Sequence, residues 1–529
     1  MLASVVSLPE PAPAPVDARR PALCPVPLTL TAATGFIGSL CVLVGVTQAG
    51  SPFAVKAPGA WFFGLASGSS VGSTNARFLA IMVVYLGIVV MLGSWFETVR
   101  ALRRHPDLPL KTLVVTLVAW GAPVVLMPPI FSRDVYSYAA QGDMVIHGIN
   151  PYLHGPSSLG SGSFLDLVDP LWRHAPAPYG PGWERLSGWI VDLSRHDVLT
   201  AAAGFRIVAL AGVALIALGI PALARSVGRS ETVAFAVAVL NPLVLLVLLG
   251  GAHNDALMLG LLVAGCALAR RNHVLAGLVM CALAAEVKVP ALIGAAFIGW
   301  WWSRSEASWR QRLPRVAAAV VFTAGLMAAV SAVSGLGWHW LTGLSNPGVV
   351  VSWVDPATAV GLGLGHAASL LGYGGHSVAL VQGARAAGLG LATVLSVALV
   401  LRSKRVGEVA ALGWSLLLFV LLGPVVWPWY ETWGFVFLAV AAERWTLRLV
   451  LFLSAAACFA DLPSWRVLVG GNPLLVTLGW MCLAGAIVAY TTGRLVPSLS
   501  AQLASKSTGP SLPMGPDPRV GPARPEPST

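Results

Sequence analysis

The sequence predicts an all-α polytopic membrane protein, a bundle of about 13–14 transmembrane helices with a long first outer loop carrying interfacial helices. Three observations predict it. Of 529 residues, 56% are hydrophobic and only 10% charged, with mean hydropathy +0.77, whereas soluble domains carry about 25% charged residues. Apolar windows near the roughly 20 residues that a spanning helix needs recur along most of the chain. Most Lys and Arg residues fall in short connections on one side of those windows, and the two long connections fall on the other. The net charge of +11 is therefore a matter of topology, and no nucleic-acid partner is expected.

Taken in order, residues 1–26 are rich in Pro and Ala, with Arg19 and Arg20 just before the first span. No clear cleavage site follows, so this stretch reads as a cytoplasmic tail leading into a retained helix. Spans are expected near 28–47, 77–97, 111–131, 201–224, 232–251 and 254–270, then 316–335, 378–401, 408–425, 430–443, 446–461 and 472–493. Residues 273–302 are different, because basic residues flank both ends (Arg270-Arg271 and Arg304) and "EVKVP" at Glu286–Pro290 breaks the middle. The segment must go up and return, so it predicts a hairpin of half-length helices buried among the others. Residues 27–494 then form one transmembrane catalytic domain with outer loops at 132–200 and 337–377, and the Pro/Ser/Gly-rich 495–529 is a disordered cytoplasmic tail. The six cysteines sit singly, without a disulfide framework or metal-ligand spacing.

The chain is expected in the plasma membrane as a multi-pass protein, and the distribution of Lys and Arg puts both termini on the cytoplasmic side. The long loops then face outward, and the first carries Asp134, Asp143, Asp166, Asp169, Glu184, Asp192 and Asp197. Cytoplasmic connections are too short for a nucleotide-binding domain, and no P-loop or dinucleotide fingerprint occurs. A group donor used on the outer face must arrive attached to something in the membrane. A lipid phosphate is the obvious carrier.

The first outer loop opens with "FSRDVYSYAAQGDMVIHGINPY", Phe131–Tyr152. Ser132 is the expected N-cap of a helix over Asp134–His147, which places Asp134 in the first turn, where the positive helix end favours a carboxylate. Asp134, Tyr138, Gln141 and Val145 share one face; Val135, Ala139, Gly142 and Ile146 form an apolar face suited to the membrane surface. A carboxylate so placed can act as a general base, or it simply starts the helix while Arg133 binds lipid headgroups. The stiff aromatic loops "NPYLHGP" and "APAPYGPGW", the latter with Tyr179 and Trp183, suit sugar rings as well as an interface. "GGAHNDAL" places His253, Asn254 and Asp255 at a tight turn, as helix caps or as a sugar- or phosphate-binding turn. Lys288, in the broken hairpin, meets a lipid phosphate, pairs with Glu286 or snorkels. "GPVVWPWYETW" adds Trp427, Trp429, Tyr430 and Glu431, again with an aromatic belt as the alternative.

These stretches, with "PYGPGW", "NPLVLLVLLGGAHNDALMLGLLVAG", "EVKVPALIG" and "PWY", resemble the polyprenol-phosphate-mannose-dependent α-(1→6)-mannopyranosyltransferases, MptB-like members of the GT-C class. The resemblance runs from about residue 28 to 493 in matching order. It implies a GT-C-type bundle and an active site on the outer face, with Asp134 as catalytic base. Mannose would pass from polyprenyl-phosphate-mannose to a membrane-anchored mannan of lipomannan or another cell-envelope lipoglycan. Lys288 is the first choice for the donor phosphate, with Arg133 and Arg206 as rivals. Tyr136, Tyr138, Asp143, Tyr179, Trp183, His253, Asn254, Asp255, Trp429 and Tyr430 are the candidates for contacting donor sugar and acceptor. No cofactor is required. A divalent cation, Mg²⁺ or Mn²⁺, stays open, with Asp134 and either Asp143 or Asp255 as ligands. The alternatives are a GT-C enzyme for arabinofuranose or glucose, and a flippase for lipid-linked sugars.

Overall fold

Helices occupy the apolar runs, and the breaks between them fall where proline or a buried amide interrupts the backbone ladder. The computed structural model describes residues 28–460, apart from 49, 55–59, 62–65, 68–71, 106–107, 307, 345, 354 and 442–443. The predicted tails and the expected span near 472–493 lie outside the described residues.

Helix α1 (Leu28–Thr47) packs on α2 (Thr74–Arg104) and α3 (Leu110–Leu126). The first long loop carries α4 (Asp134–Ile146), α5 (Ser163–Leu167) and α6 (Pro181–Leu193). Then come α7 (Val198–Ser226), α8 (Glu231–Ala238), a π-helical segment at Val244–Gly250, and α9 (Asp255–Arg270). The hairpin is α10 (Val274–Val287), a 3-10 turn at Val289–Leu292 and α11 (Ile293–Trp302), followed by α12 (Trp309–Val333). The second long loop holds α13 (Trp340–Gly343) and α14 (Pro356–Leu370). The chain continues through α15 (Ser377–Leu401), α16 (Ser403–Val406), α17 (Glu408–Leu421), α18 (Pro428–Ala441) and α19 (Arg444–Ala460). Among the described residues the only strands are two-residue pieces, Ala60–Trp61 against Ala66–Ser67. The protein is all-α and polytopic.

Among the described residues five helices (α1, α2, α7, α12 and α15) are long and apolar enough to cross a membrane, and the π-helical segment with α9, bent by 113°, makes a sixth if counted as one span. Five shorter apolar helices of 10–17 residues account for much of the rest. Several expected crossings are therefore shortened or broken. Pro128 and Pro129 follow directly on α3 and stop it at Leu126, short of the expected 131. The run expected as one span at 232–251 is divided at Asn241-Pro242. There Asn241 accepts from Leu243 N and donates to Ser454 Oγ (3.0 and 2.8 Å), replacing ladder bonds. The hairpin breaks where expected, with Lys288 in extended conformation between its legs.

The apolar face expected to lie at the membrane surface on α4 is largely packed inside the protein. Val135 through Gly142 are buried, and Gly142 lies so close to α6 that a Cβ there would stand 2.5 Å from Ser187 O. Only Ile146 of the expected surface face is exposed. Exposed apolar side chains fall on α6 instead, at Trp189 and Leu193.

Helix α7 crosses α9 at close backbone approach. A Cβ on Gly212 would sit 2.3 Å from Ala256 C, and one on Gly260 would sit 2.4 Å from Gly212 O. Close backbone approach through small residues is how helices associate where lipid removes the hydrophobic driving force. Gly212→Val is expected to cost about 1–3 kcal/mol by overpacking, lowering the melting temperature in detergent. Gly325→Ala on α12, with open space around it, is expected to leave that temperature unchanged or slightly raised, because alanine favours the helix.

Candidate active site

The site is built where two strained turns meet. After the prolines, Ile130 N–H donates to Gly250 O and Phe131 N–H to Phe53 O, both at 3.2 Å. Phe131 is left-handed (φ 66°), with its ring edge-on to Phe53 at 5.9 Å. Opposite, Ala252 (φ 52°) turns the chain between the π-helical segment and α9. Non-glycine residues in this region cost on the order of 1–3 kcal/mol and collect at functional sites. Between them Asp134 begins α4. Its N–H donates to Ser132 Oγ at 3.0 Å, although by backbone geometry the cap is Arg133 and not Ser132 as expected.

Asp134 Oδ2 lies 3.6 Å from His253 Nδ1, and the His253 ring stacks on Trp429 at 4.1 Å. Burial pushes the Asp134 carboxyl up to about 6, opposed by the Lys288 charge and the Ser132 hydrogen bond and reinforced by Asp255 and Asp169. The carboxyl faces a cavity of about 340 Å³ walled by Pro52, Phe53, Ala54, Phe131, Ser132, Arg133, Asp169, Leu171, Trp172, Trp427 and Trp429. Asp169, Leu171 and Trp172 come from an irregular turn that carries no motif. Only their place in the fold reveals them.

Behind this wall lies a buried ion pair. Lys288 Nζ donates to both oxygens of Asp255 (2.9 and 2.8 Å), and Trp433 Nε1 donates to Asp255 Oδ1 at 2.6 Å. The ammonium also sits over the Tyr430 ring, 4.4 Å from its centre. Glu286, the other expected partner of Lys288, instead accepts from Gly182 N at 2.8 Å. That bond ties the hairpin break to the start of α6. A Cβ on Gly180 would stand 2.3 Å from Glu286 O, which accounts for the glycine of "PYGPGW".

The structure separates the expected site residues. Asp134, Arg133 and Trp429 line the cavity, with His253 packed behind it. Asn254 is buried and its Oδ1 accepts from Tyr138 OH at 3.3 Å. Tyr138, Tyr179 and Trp183 form an edge-to-face cluster with centroids 5.1–6.4 Å apart, joined by Phe205. They support the site from the core instead of lining its cavity, as Tyr136, buried on the same helix, also does. Tyr430 and Asp255 belong to the Lys288 cluster. Asp143 is held elsewhere, 2.8 Å from His196 Nδ1, and does not meet Asp134. Arg206 is not available to a phosphate. Its guanidinium donates to Val124 O, Val125 O, Met127 O and Gly250 O, closing the end of α3 onto the π-helical segment. Lys288 is neutralised by Asp255, so of the three expected cations only Arg133 presents its charge to the cavity.

Two further features frame the site. Asp355 Oδ1 accepts from Val426 N at 2.7 Å, so the second long loop fixes the backbone just before Trp427 and Trp429. On α6, Glu184 is fully buried, its oxygens have no partner among the described residues, and burial pushes it up to about 8. Of the pairs left open for a metal, Asp143 is bonded to His196 and Asp255 to Lys288 and Trp433. Among the described residues no three His, Cys, Asp or Glu side chains converge.

Two family models match the chain: the α-(1→6)-mannopyranosyltransferase N-terminal domain over residues 32–304 and the MptB C-terminal domain over 357–492. The chain is 32% identical to a probable α-(1→6)-mannopyranosyltransferase of Mycolicibacterium smegmatis, covering 78% of each chain. It is 31% identical to α-(1→6)-mannopyranosyltransferase A of Mycobacterium tuberculosis, covering 86% of this chain and 88% of that one. Against α-(1→6)-mannopyranosyltransferase B of Corynebacterium glutamicum it is also 31% identical, covering 84% and 78%. No solved structure matches. The protein belongs to the α-(1→6)-mannopyranosyltransferase family.

Two substitutions separate scaffold from site. Lys288→Met leaves Asp255 buried and unpaired, at an expected cost of about 3–5 kcal/mol, and Lys288→Met with Asp255→Leu recovers part of the lost melting temperature. Arg206→Leu strands its buried carbonyls. It is expected to lower the melting temperature and folded yield while the folded fraction keeps the wild-type KM for donor.

Proposed function

We infer that the protein transfers mannose from polyprenyl-phosphate-mannose to a hydroxyl of a membrane-anchored α-(1→6)-mannan acceptor, on the outer face of the membrane. The observation that carries this reading is Asp134 itself: a half-buried carboxylate at the start of a helix, facing a cavity with tryptophan walls and one arginine. Family membership supplies the sugar and linkage, and the excess of Lys and Arg in the short connections supports the outward orientation.

In the reaction, Asp134 takes the proton of the acceptor hydroxyl as that oxygen attacks the anomeric carbon. The bond from that carbon to the phosphate oxygen breaks, and its electron pair leaves with the phosphate. A single displacement inverts the centre, so a β-linked donor gives an α product. The transition state has oxocarbenium character, and Arg133 offsets charge on the departing phosphate. His253, stacked on Trp429, packs behind Asp134 with its Nδ1 3.6 Å from the carboxylate. A base near 6 is ionised at neutral pH and still basic enough to assist the hydroxyl.

The test is purified protein in lipid with radiolabelled polyprenyl-phosphate-mannose and a short α-(1→6)-mannoside. Asp134→Asn is expected to lose on the order of 10²–10⁴ in turnover with donor still bound. Wild-type kcat/KM should fall about tenfold per pH unit below about 6, because protonation removes the base. Equal product from both proteins removes Asp134 from the mechanism. No product from wild type with donor bound points to another sugar or to lipid transport.

A further inference from the structure

The cavity that holds Asp134 contains a second carboxylate. Asp169 sits in a turn in which its backbone oxygen accepts from Trp172 N (2.9 Å) and its Oδ1 accepts from Leu171 N (3.0 Å). This Asx turn fixes the side chain and uses one oxygen. Among the described residues no protein group donates to Oδ2. The same turn sets Trp172 on the cavity wall, with Trp427 and Trp429 on the same cavity.

That combination suits a neutral sugar. Indole faces cover the C–H face of a pyranose, and carboxylate oxygens accept its hydroxyls in charge-assisted hydrogen bonds. A phosphate is repelled by Asp169, whereas Arg133 is the one basic residue on the wall. The anionic end of the donor therefore belongs at Arg133. The Asp169 turn is also partly open, with Leu171 exposed, so a sugar chain extending from the site can leave past it.

We propose that Asp169, with Trp172 beside it, binds the acceptor sugar and holds its hydroxyls so that the 6-hydroxyl lies against Asp134. The proposal rests on the transfer reaction above and adds a residue that selects the acceptor. It also carries a pH signature. Lys288 lowers the Asp134 carboxyl and Asp255 and Asp169 raise it, and His253 and Arg133 are the other titratable or charged groups beside it. Neutralising Asp169 removes one repulsion, so Asp134 loses its proton at lower pH.

The experiment is steady-state transfer to a short α-(1→6)-mannoside with Asp169→Asn, Trp172→Ala and Asp166→Asn. Asp166 is an exposed carboxylate in the same loop, outside the cavity. Asp169→Asn should raise the acceptor KM on the order of ten- to a hundredfold, the worth of a charged hydrogen bond. It should leave the donor KM and melting temperature unchanged and move the acid limb of kcat/KM to lower pH. Trp172→Ala should also raise the acceptor KM, and Asp166→Asn should match wild type throughout. An acceptor KM unmoved by Asp169→Asn in an active enzyme overturns the subsite, as does an equal rise in donor KM. An inactive wild type would instead sink the transfer reaction itself.

Discussion

The site depends on one buried ion pair. Lys288 lies at the break of the α10–α11 hairpin and Asp255 opens α9, and each is a charge that the interior would not hold alone. Together they join two discontinuities in the membrane bundle at one point. Trp433 brings α18 to the same carboxylate, and Tyr430 covers the ammonium. Asp134 stands close enough for Lys288 to offset part of its burial, so the pair that secures the scaffold also bears on how readily that carboxyl ionises.

Discontinuity is the common feature of every element around the cavity. The prolines after α3, the π-helical segment, the Ala252 turn and the Lys288 break each give up helical hydrogen bonds. The freed carbonyls need partners because lipid supplies none. Arg206 is the clearest answer: its side chain is spent on four carbonyls from two broken helix ends. A buried arginine in an apolar helix looks like a ligand for an anion, but here its ligands are the protein's own backbone dipoles.

How much was legible in the sequence follows from this. Proline, the charged flanks of 273–302 and apolar periodicity marked most helices and the hairpin break, because those signals are local. Asp134 stood out by its position at the end of a span. Which carboxylate pairs with Lys288 depends on where α9 meets the hairpin, and nothing local to "EVKVP" chooses Asp255 over Glu286. Helix α4 carries a plausible surface face, yet Gly142 and Val145 on or near it pack against α6. Asp169 was invisible for the opposite reason, as an acidic residue in an irregular loop among several like it.

Glu184 gives the protein a proton balance of its own. A carboxyl that ionises near 8 when folded and at its ordinary 4.5 when unfolded keeps its proton in the native state at neutral pH. The folded state binds more protons than the unfolded one between those values. The stabilisation is therefore complete below about 4.5, erodes by up to about 1.4 kcal/mol per pH unit as pH rises, and is gone above about 8. Asp134 is shifted in the same direction, so its contribution to stability also falls as pH rises, while the proposed role as base needs its proton gone near 6. Two carboxyls raised by desolvation, one on α4 and one on the helix packed against it, thus bracket neutrality. Acidity silences the chemistry, alkalinity loosens the fold, and the working range lies between.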